Sequence, residues 1–222
     1  MIYKLELTED EILQNYKEFL SFIEKSFSGE RQKNLLRMHG EEEGYGMTLA
    51  MAPASLAEHF HLCVPGGYIM HIMNVVKCSG AVEKLYKAMA GAVTWTEEER
   101  VLSCLLHDLG KLGDPELGEY YKPEDNDWKR KQGNLYKLNP EIQYMNATDR
   151  TFYVMQRFGV TCNWKEYLAI MLADGLYREG NEKYLKTYNK DMSPKTNLHL
   201  IVHQADILST FAERDLWKSG NK

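Results

Sequence analysis

The chain has few cysteines, no long apolar run, no basic stripe and no repeat, and each absence narrows what it can be. Its four cysteines, Cys63, Cys78, Cys104 and Cys162, are scattered and form no C-x-x-C pair. A cysteine zinc site is therefore not expected, and reduced thiols in a cytoplasmic protein are. No stretch reaches the roughly 18 consecutive apolar residues of a membrane helix. The opening residues, MIYKLELTEDEI, lack the charged-then-apolar order of a signal peptide. The net charge is -5 with no basic stripe, which disfavours extended nucleic-acid binding, although local clusters can hold a few phosphates. Strand signals are weak throughout, and no internal repeat or low-complexity tract is present.

What remains is a chain of 222 residues, 44% hydrophobic and 27% charged. That suits one domain with an ample core, or one domain with a small helical extension. Its pattern predicts an all-α protein. Thr8-Glu9-Asp10-Glu11 reads as a capping box opening a first helix, with Leu13, Tyr16, Leu20 and Ile23 on one face. A second helix is expected between Gly29 and Gly46, a short one over 54–60, and a long one from Gly66-Gly67 to about Ala92. Thr96-x-x-Glu99 opens a helix rich in Val101, Leu102, Leu105 and Leu106, which is expected to stop at Gly110. Residues 113–148 look like an irregular insertion, polar and aromatic, of a length that is often functional. Helices then resume at 149–158, at 163–172, the latter opened by Asn163-x-x-Glu166, and from about Thr196 to Leu216.

The chemistry concentrates in His107-Asp108, at the end of an apolar helix. Neighbouring residues on a helix point about 100° apart, so both side chains can reach one ion beside the last turn. Taken alone the dipeptide reads far more readily as a surface pair at a helix end. Two other features change its weight. His71 lies in the apolar run Ile69, Ile72, Met73, Val75 and Val76. Asp206 lies inside an apolar helix with Leu198, Ile201, Val202 and Ile207, where a carboxylate is costly unless a charge or a metal compensates it.

The order His71, then His107-Asp108-Leu109-Gly110-Lys111, then His203-x-Ala205-Asp206 resembles the HD superfamily of metal-dependent phosphohydrolases. The resemblance spans roughly residues 54–212. Pro53-Ala54-Ser55 and His61 add a likeness to a phage and bacterial subgroup related to HD-type exoribonucleases. It implies an HD helical bundle over 54–222 with the insertion 113–148, and an N-terminal helical extension, 1–53, packed on the core. It also implies one divalent ion, Mn, Fe, Co, Ni, Zn or Mg, held by His71, His107, Asp108 and Asp206. Lys111 would then sit near a substrate phosphate; as residue chemistry alone it serves equally as a partner for a helix C-terminus. Exoribonuclease-like members carry His-His-Gly where this chain has Ala173-Asp174-Gly175, which argues for one metal rather than two.

Asp174 is read as a general acid or base, a partner of a metal ligand, a contact to a sugar hydroxyl, or a plain turn residue. His199, His203 and Asp206 share a helical face; His203 is expected to hydrogen-bond a ligand from behind, and His199 to be peripheral. His61, Arg178, Lys122, Trp128 and Tyr136 are candidates for substrate binding, and aromatic and basic residues of the insertion, Tyr120, Tyr121, Lys129, Arg130 and Lys131 among them, can stack a base and hold phosphate. His39 and His59 look like surface residues. The expected substrate is a small nucleotide, a nucleoside mono- or triphosphate, possibly deoxy. The alternatives are a 3'-5' exoribonuclease or cyclic-nucleotide phosphodiesterase, and a non-catalytic nucleotide-binding protein. Nucleic acid is the less expected partner and a membrane is not expected; the location expected is the cytoplasm, or a host's cytoplasm for a phage protein.

Overall fold

The computed structural model describes residue 1 and residues 4–220. In chain order they form α1 (Glu9–Ser26), α2 (Gly29–His39), α3 (Gly46–Met51), α4 (Gly67–Ala88), α5 (Glu97–Leu106), β1 (Tyr121–Pro123), α6 (Asp127–Lys131), β2 (Tyr136–Leu138), α7 (Ala147–Arg157), α8 (Trp164–Met171), α9 (Glu182–Leu185) and α10 (Leu198–Gly220). The class is all-α. Among the described residues no helix is long and apolar enough to cross a membrane.

Three helices start where the sequence places a reciprocal cap: Thr8 with Glu11, Thr96 with Glu99, and Asn163 with Glu166. Each cap satisfies backbone N–H groups that a helix start leaves unpaired, an effect of about 1 kcal/mol. The cap at Thr96 fixes the register of α5 and so the place where its far end delivers His107. Gly66, just before α4, sits at φ +79°, in the left-handed region that favours glycine.

Helix α10 packs along α4 and α8 and also meets α5, which itself packs on α4 and α8. Ile69, Ile72, Leu102, Leu105, Leu106, Ile201, Val202 and Ala205 belong to one buried apolar cluster. Ile12, Tyr16, Phe19 and Ile23 of α1 join that cluster, and α1 lies against α2, α3 and α4. His71 on α4, His107 at the end of α5 and Asp206 on α10 are thus carried by three helices that share one core.

Four expectations are corrected. Residues 54–60 form a loop instead of a helix; Ala54 donates its amide to the Leu62 carbonyl at 3.1 Å, and the Ser55 hydroxyl donates to the His61 carbonyl at 2.6 Å. The insertion is not irregular: β1 and β2 pair antiparallel, with Lys122 opposite Lys137, around the short α6. Two three-residue strands with a charged centre carry too little alternation to be read from sequence. Helix α5 ends at Leu106, and a 3₁₀ segment at Leu109–Lys111 follows. Gly110 lies in that segment because it is pressed against the start of α7: its amide donates to Thr151 Oγ1 at 2.8 Å, and a Cβ there would overlap the Ala147 carbonyl. His39 is fully buried, its Nδ1 2.8 Å from the Leu35 carbonyl and its ring edge-on to Phe19.

Candidate metal centre

The three helices bring two imidazoles and two carboxylates together. His71 Nε2 lies 3.2 Å from Asp206 Oδ1 and 3.7 Å from Asp108 Oδ2. His107 Nε2 lies 3.7 Å from each of those same oxygens. The His71 and His107 ring centroids are 5.5 Å apart. Both Nε2 atoms are buried and neither has an aligned hydrogen-bond partner. One ligand atom each from His71, His107 and Asp108 falls within 4.8 Å of the others, and Asp206 Oδ1 closes the group.

The far side of each ring explains this orientation. His71 Nδ1 is 3.0 Å from Glu213 Oε2, and His107 Nδ1 is 2.8 Å from the Cys104 carbonyl. A carbonyl or carboxylate oxygen only accepts, so each Nδ1 carries the proton. When either ring is neutral, its Nε2 therefore presents a lone pair to the shared space. Two such lone pairs beside two carboxylates are the donor set of a mixed His and Asp divalent site, and the residues present fit one ion.

The electrostatics agree. Burial opposes charge on His71, but Glu213 and Asp206 outweigh it and raise its pKa to about 10. Burial also opposes charge on His107, and Asp108 and Asp206 outweigh it and raise that group too. Burial would raise Asp108, but Lys111, His107 and His71 hold it below the usual carboxylate range. Asp206 is held well below that range, its own burial overcome by the neighbouring His107 and His71. Lys111 Nζ donates to Asp108 Oδ2 at 2.6 Å. Protons on the imidazoles and the lysine ammonium thus balance the acids. A divalent ion at the same place would replace imidazole protons, because ligation needs the neutral ring.

A cavity of about 470 Å³ opens onto this group and is lined by Asp108, Asp206, Lys111, Asp174, His61 and His203. His203 Nδ1 sits 2.5 Å from the Ala173 carbonyl, so its bond runs to the backbone beside Asp174 and not to a ligand side chain. Thr148 donates to Asp174 Oδ2 at 3.1 Å. The His61 ring lies 4.5 Å from that of His71, centroid to centroid and tilted by 45°, with a buried Nε2 that lacks a partner. Burial, reinforced by the neighbouring His71 and Lys111 charges, pushes its pKa down to about 2. His61 is therefore a neutral ring.

The structure does not bring every candidate to the cavity. Lys122 faces Glu141 at 3.8 Å, Arg178 pairs with Asp149 at 2.7 Å, and Trp128 is 66% exposed. None of these three lines the cavity, and neither does Tyr136. Its outer wall comes instead from Phe60, Tyr121, Tyr177, Phe211 and Arg214. Sequence reading named Tyr121 only as part of the insertion and missed the others. Glu213 and Arg214 lie seven and eight residues past Asp206, two helical turns on, a spacing that points to them once Asp206 is placed, whereas Phe211, five residues on, falls off that face. Phe60 lies on a loop and Tyr177 in a 3₁₀ turn, and neither gives such a signal. Comparison with protein-family models, curated proteins and solved structures finds no match.

Proposed function

We propose that this chain is an HD-type metal-dependent phosphohydrolase acting on a small nucleotide, with residues 54–222 as the catalytic unit and 1–53 as its support. One observation carries the reading: His71, His107, Asp108 and Asp206, far apart in sequence, meet with both imidazole Nε2 atoms buried and unpartnered. That is costly chemistry to maintain without a cation. A divalent ion bound there would supply an acidified water and draw charge from a phosphoryl oxygen.

The chain's own groups do the rest. Lys111 balances Asp108 when no cation is present and is close enough to turn to a phosphate oxygen when one is. Arg214, which also lines the cavity, offers a second cationic group; its guanidinium lies 5.1 Å from the Phe211 ring centroid. Asp174, oriented by Thr148, is placed on the cavity wall to accept a proton from the attacking water or to bind a sugar hydroxyl. His203 holds the backbone at Ala173 and so steadies that turn.

The nucleotide rather than a bare phosphoester is supported by the rim. Phe60 is 48% exposed and Phe211 54%, and half-exposed rings on a cavity that also holds Lys111, Arg214 and the acids suit a stacked base. About 470 Å³ lies in the range of small-molecule sites. The test is a screen of metal-loaded protein against nucleoside mono- and triphosphates, a generic phosphodiester and short RNA. Phosphate or pyrophosphate release from monomers is the expected result. Shortening of RNA instead would transfer the protein to the nuclease reading. Nucleotide binding without turnover under every metal would leave a binding protein only.

A further inference from the structure

Glu213 is a carboxylate with 0% of its surface exposed, on α10 two turns past Asp206. Both of its oxygens are in use. Oε2 accepts from His71 Nδ1 at 3.0 Å, and Oε1 accepts from the Asn74 amide at 2.8 Å. Asn74 and His71 lie on α4, so the acid ties one turn of α4 to α10 across the bundle. A fully buried carboxylate between two such contacts is expensive as a structural element, since an apolar residue of similar volume is often as stabilising there. It needs a reason beyond packing.

We infer that Glu213 is a positioning residue that sets His71 for metal binding. The inference rests on the metal reading above and adds a residue to it. Three effects follow from its placement. It fixes the Nδ1–H tautomer, so the Nε2 lone pair is the one left for the ion. It holds the ring plane, because Asn74 holds Glu213 in turn. Its negative charge raises the basicity of the ring and strengthens donation from Nε2. His107 lacks this assistance, since its Nδ1 meets only a neutral carbonyl. The two histidine ligands are therefore unequal, with His71 the stronger donor.

His61, His71 and Glu213 also approach one another closely enough to suggest a second cation site. The hydrogen bond between His71 Nδ1 and Glu213 argues against it, because that nitrogen cannot hold a proton and a metal together. A second ion there would also leave His71 bridging two cations through one small ring.

The experiment measures zinc binding by calorimetry with the metal alone, on wild type, Glu213→Gln and Glu213→Ala, with circular dichroism to confirm folding. Glu213→Gln keeps the volume and an oxygen acceptor but removes the charge, so it keeps the test available if Glu213→Ala fails to fold. Removing such a partner weakens metal binding by about 10- to 100-fold. The expected order of affinity is wild type, then Glu213→Gln, then Glu213→Ala, at one ion per chain throughout. In the zinc-loaded protein the His71 Nδ1–H signal seen by nitrogen NMR shifts in Glu213→Gln while the His107 signal stays. Folded variants with unchanged affinity and unchanged His71 signal would overturn the inference, leaving Glu213 a structural acid. A stoichiometry falling from two ions to one in the variants would also overturn it, making Glu213 a ligand. If wild type takes up no divalent ion at all, it is the metal reading that fails.

Discussion

Two buried histidines in different regions of this molecule behave in opposite ways. His39, in the α2 region, and His71, at the centre of the bundle, are each fully buried. Each has its Nδ1 bonded to an acceptor and its Nε2 without a partner. Yet burial lowers the pKa of His39 to about 4, whereas at His71 Glu213 and Asp206 outweigh burial and raise it to about 10. An orphaned imidazole nitrogen is therefore not enough to mark a metal centre. The acids around it are what make the difference, because they favour positive charge at that point, and a divalent ion supplies such charge as well as a proton does.

The comparison can be broken most sharply at Asp108. Asp108→Ala is expected to abolish zinc uptake and hydrolysis while leaving helix content unchanged by circular dichroism. Wild type at 100 times its dissociation constant gains about 2.7 kcal/mol of stability from the metal, and Asp108→Ala gains none. Retained metal stoichiometry in that variant would remove Asp108 from the ligand set.

The second prediction tests the other histidine. His39 binds no proton in the folded state until pH nears 4, whereas an unfolded histidine binds one near 6.5. Stability from its burial is thus complete above pH 6.5 and is lost as the pH falls toward 4, by about 3 kcal/mol in all. Below that the loss stops, because both states are protonated. Denaturant unfolding of wild type against His39→Gln across this window is expected to show the extra acid-side slope in wild type only. Equal slopes would mean that His39 is not the buried neutral group described.

Lys111→Ala is expected to keep the metal and slow turnover by about 10²-fold, the usual scale for removing a group that stabilises transition-state charge. Unchanged kinetics would confine Lys111 to balancing Asp108. The smallest effects concern the outer wall. Phe211→Ala is expected to raise KM for a nucleotide by about tenfold, from one lost stacking contact, and to leave a small phosphoester without a base unaffected. Trp128→Ala is expected to change neither. A larger effect at Trp128 than at Phe211 would return recognition to the insertion.

The legibility of the sequence divides along the same line. The meeting of His71, His107, Asp108 and Asp206 is expected from a resemblance in their order along the chain. The helical class and the three caps could be read directly, because each is a local pattern on a periodic helix. The cavity wall could not. Trp128, Lys122 and Arg178 carry suggestive chemistry, but hairpin geometry and ion pairs turn them elsewhere. Phe60 reaches the cavity from a loop and Tyr177 from a 3₁₀ turn, and the course of each depends on tertiary contacts. Glu213 was hidden differently: its spacing from Asp206 is regular, but only the packing of α4 on α10 shows that it faces His71. His39 has the composition of a surface residue and a buried position fixed by α1.

Crystals loaded with zinc and measured at the zinc absorption edge test the central claim most directly. One anomalous peak is expected, about 2.0–2.2 Å from His71 Nε2, His107 Nε2 and a carboxylate oxygen of Asp108 and of Asp206, with Lys111 drawn away from Asp108. A peak elsewhere, or none, with Lys111 still on Asp108 and both Nε2 atoms bare, would contradict it.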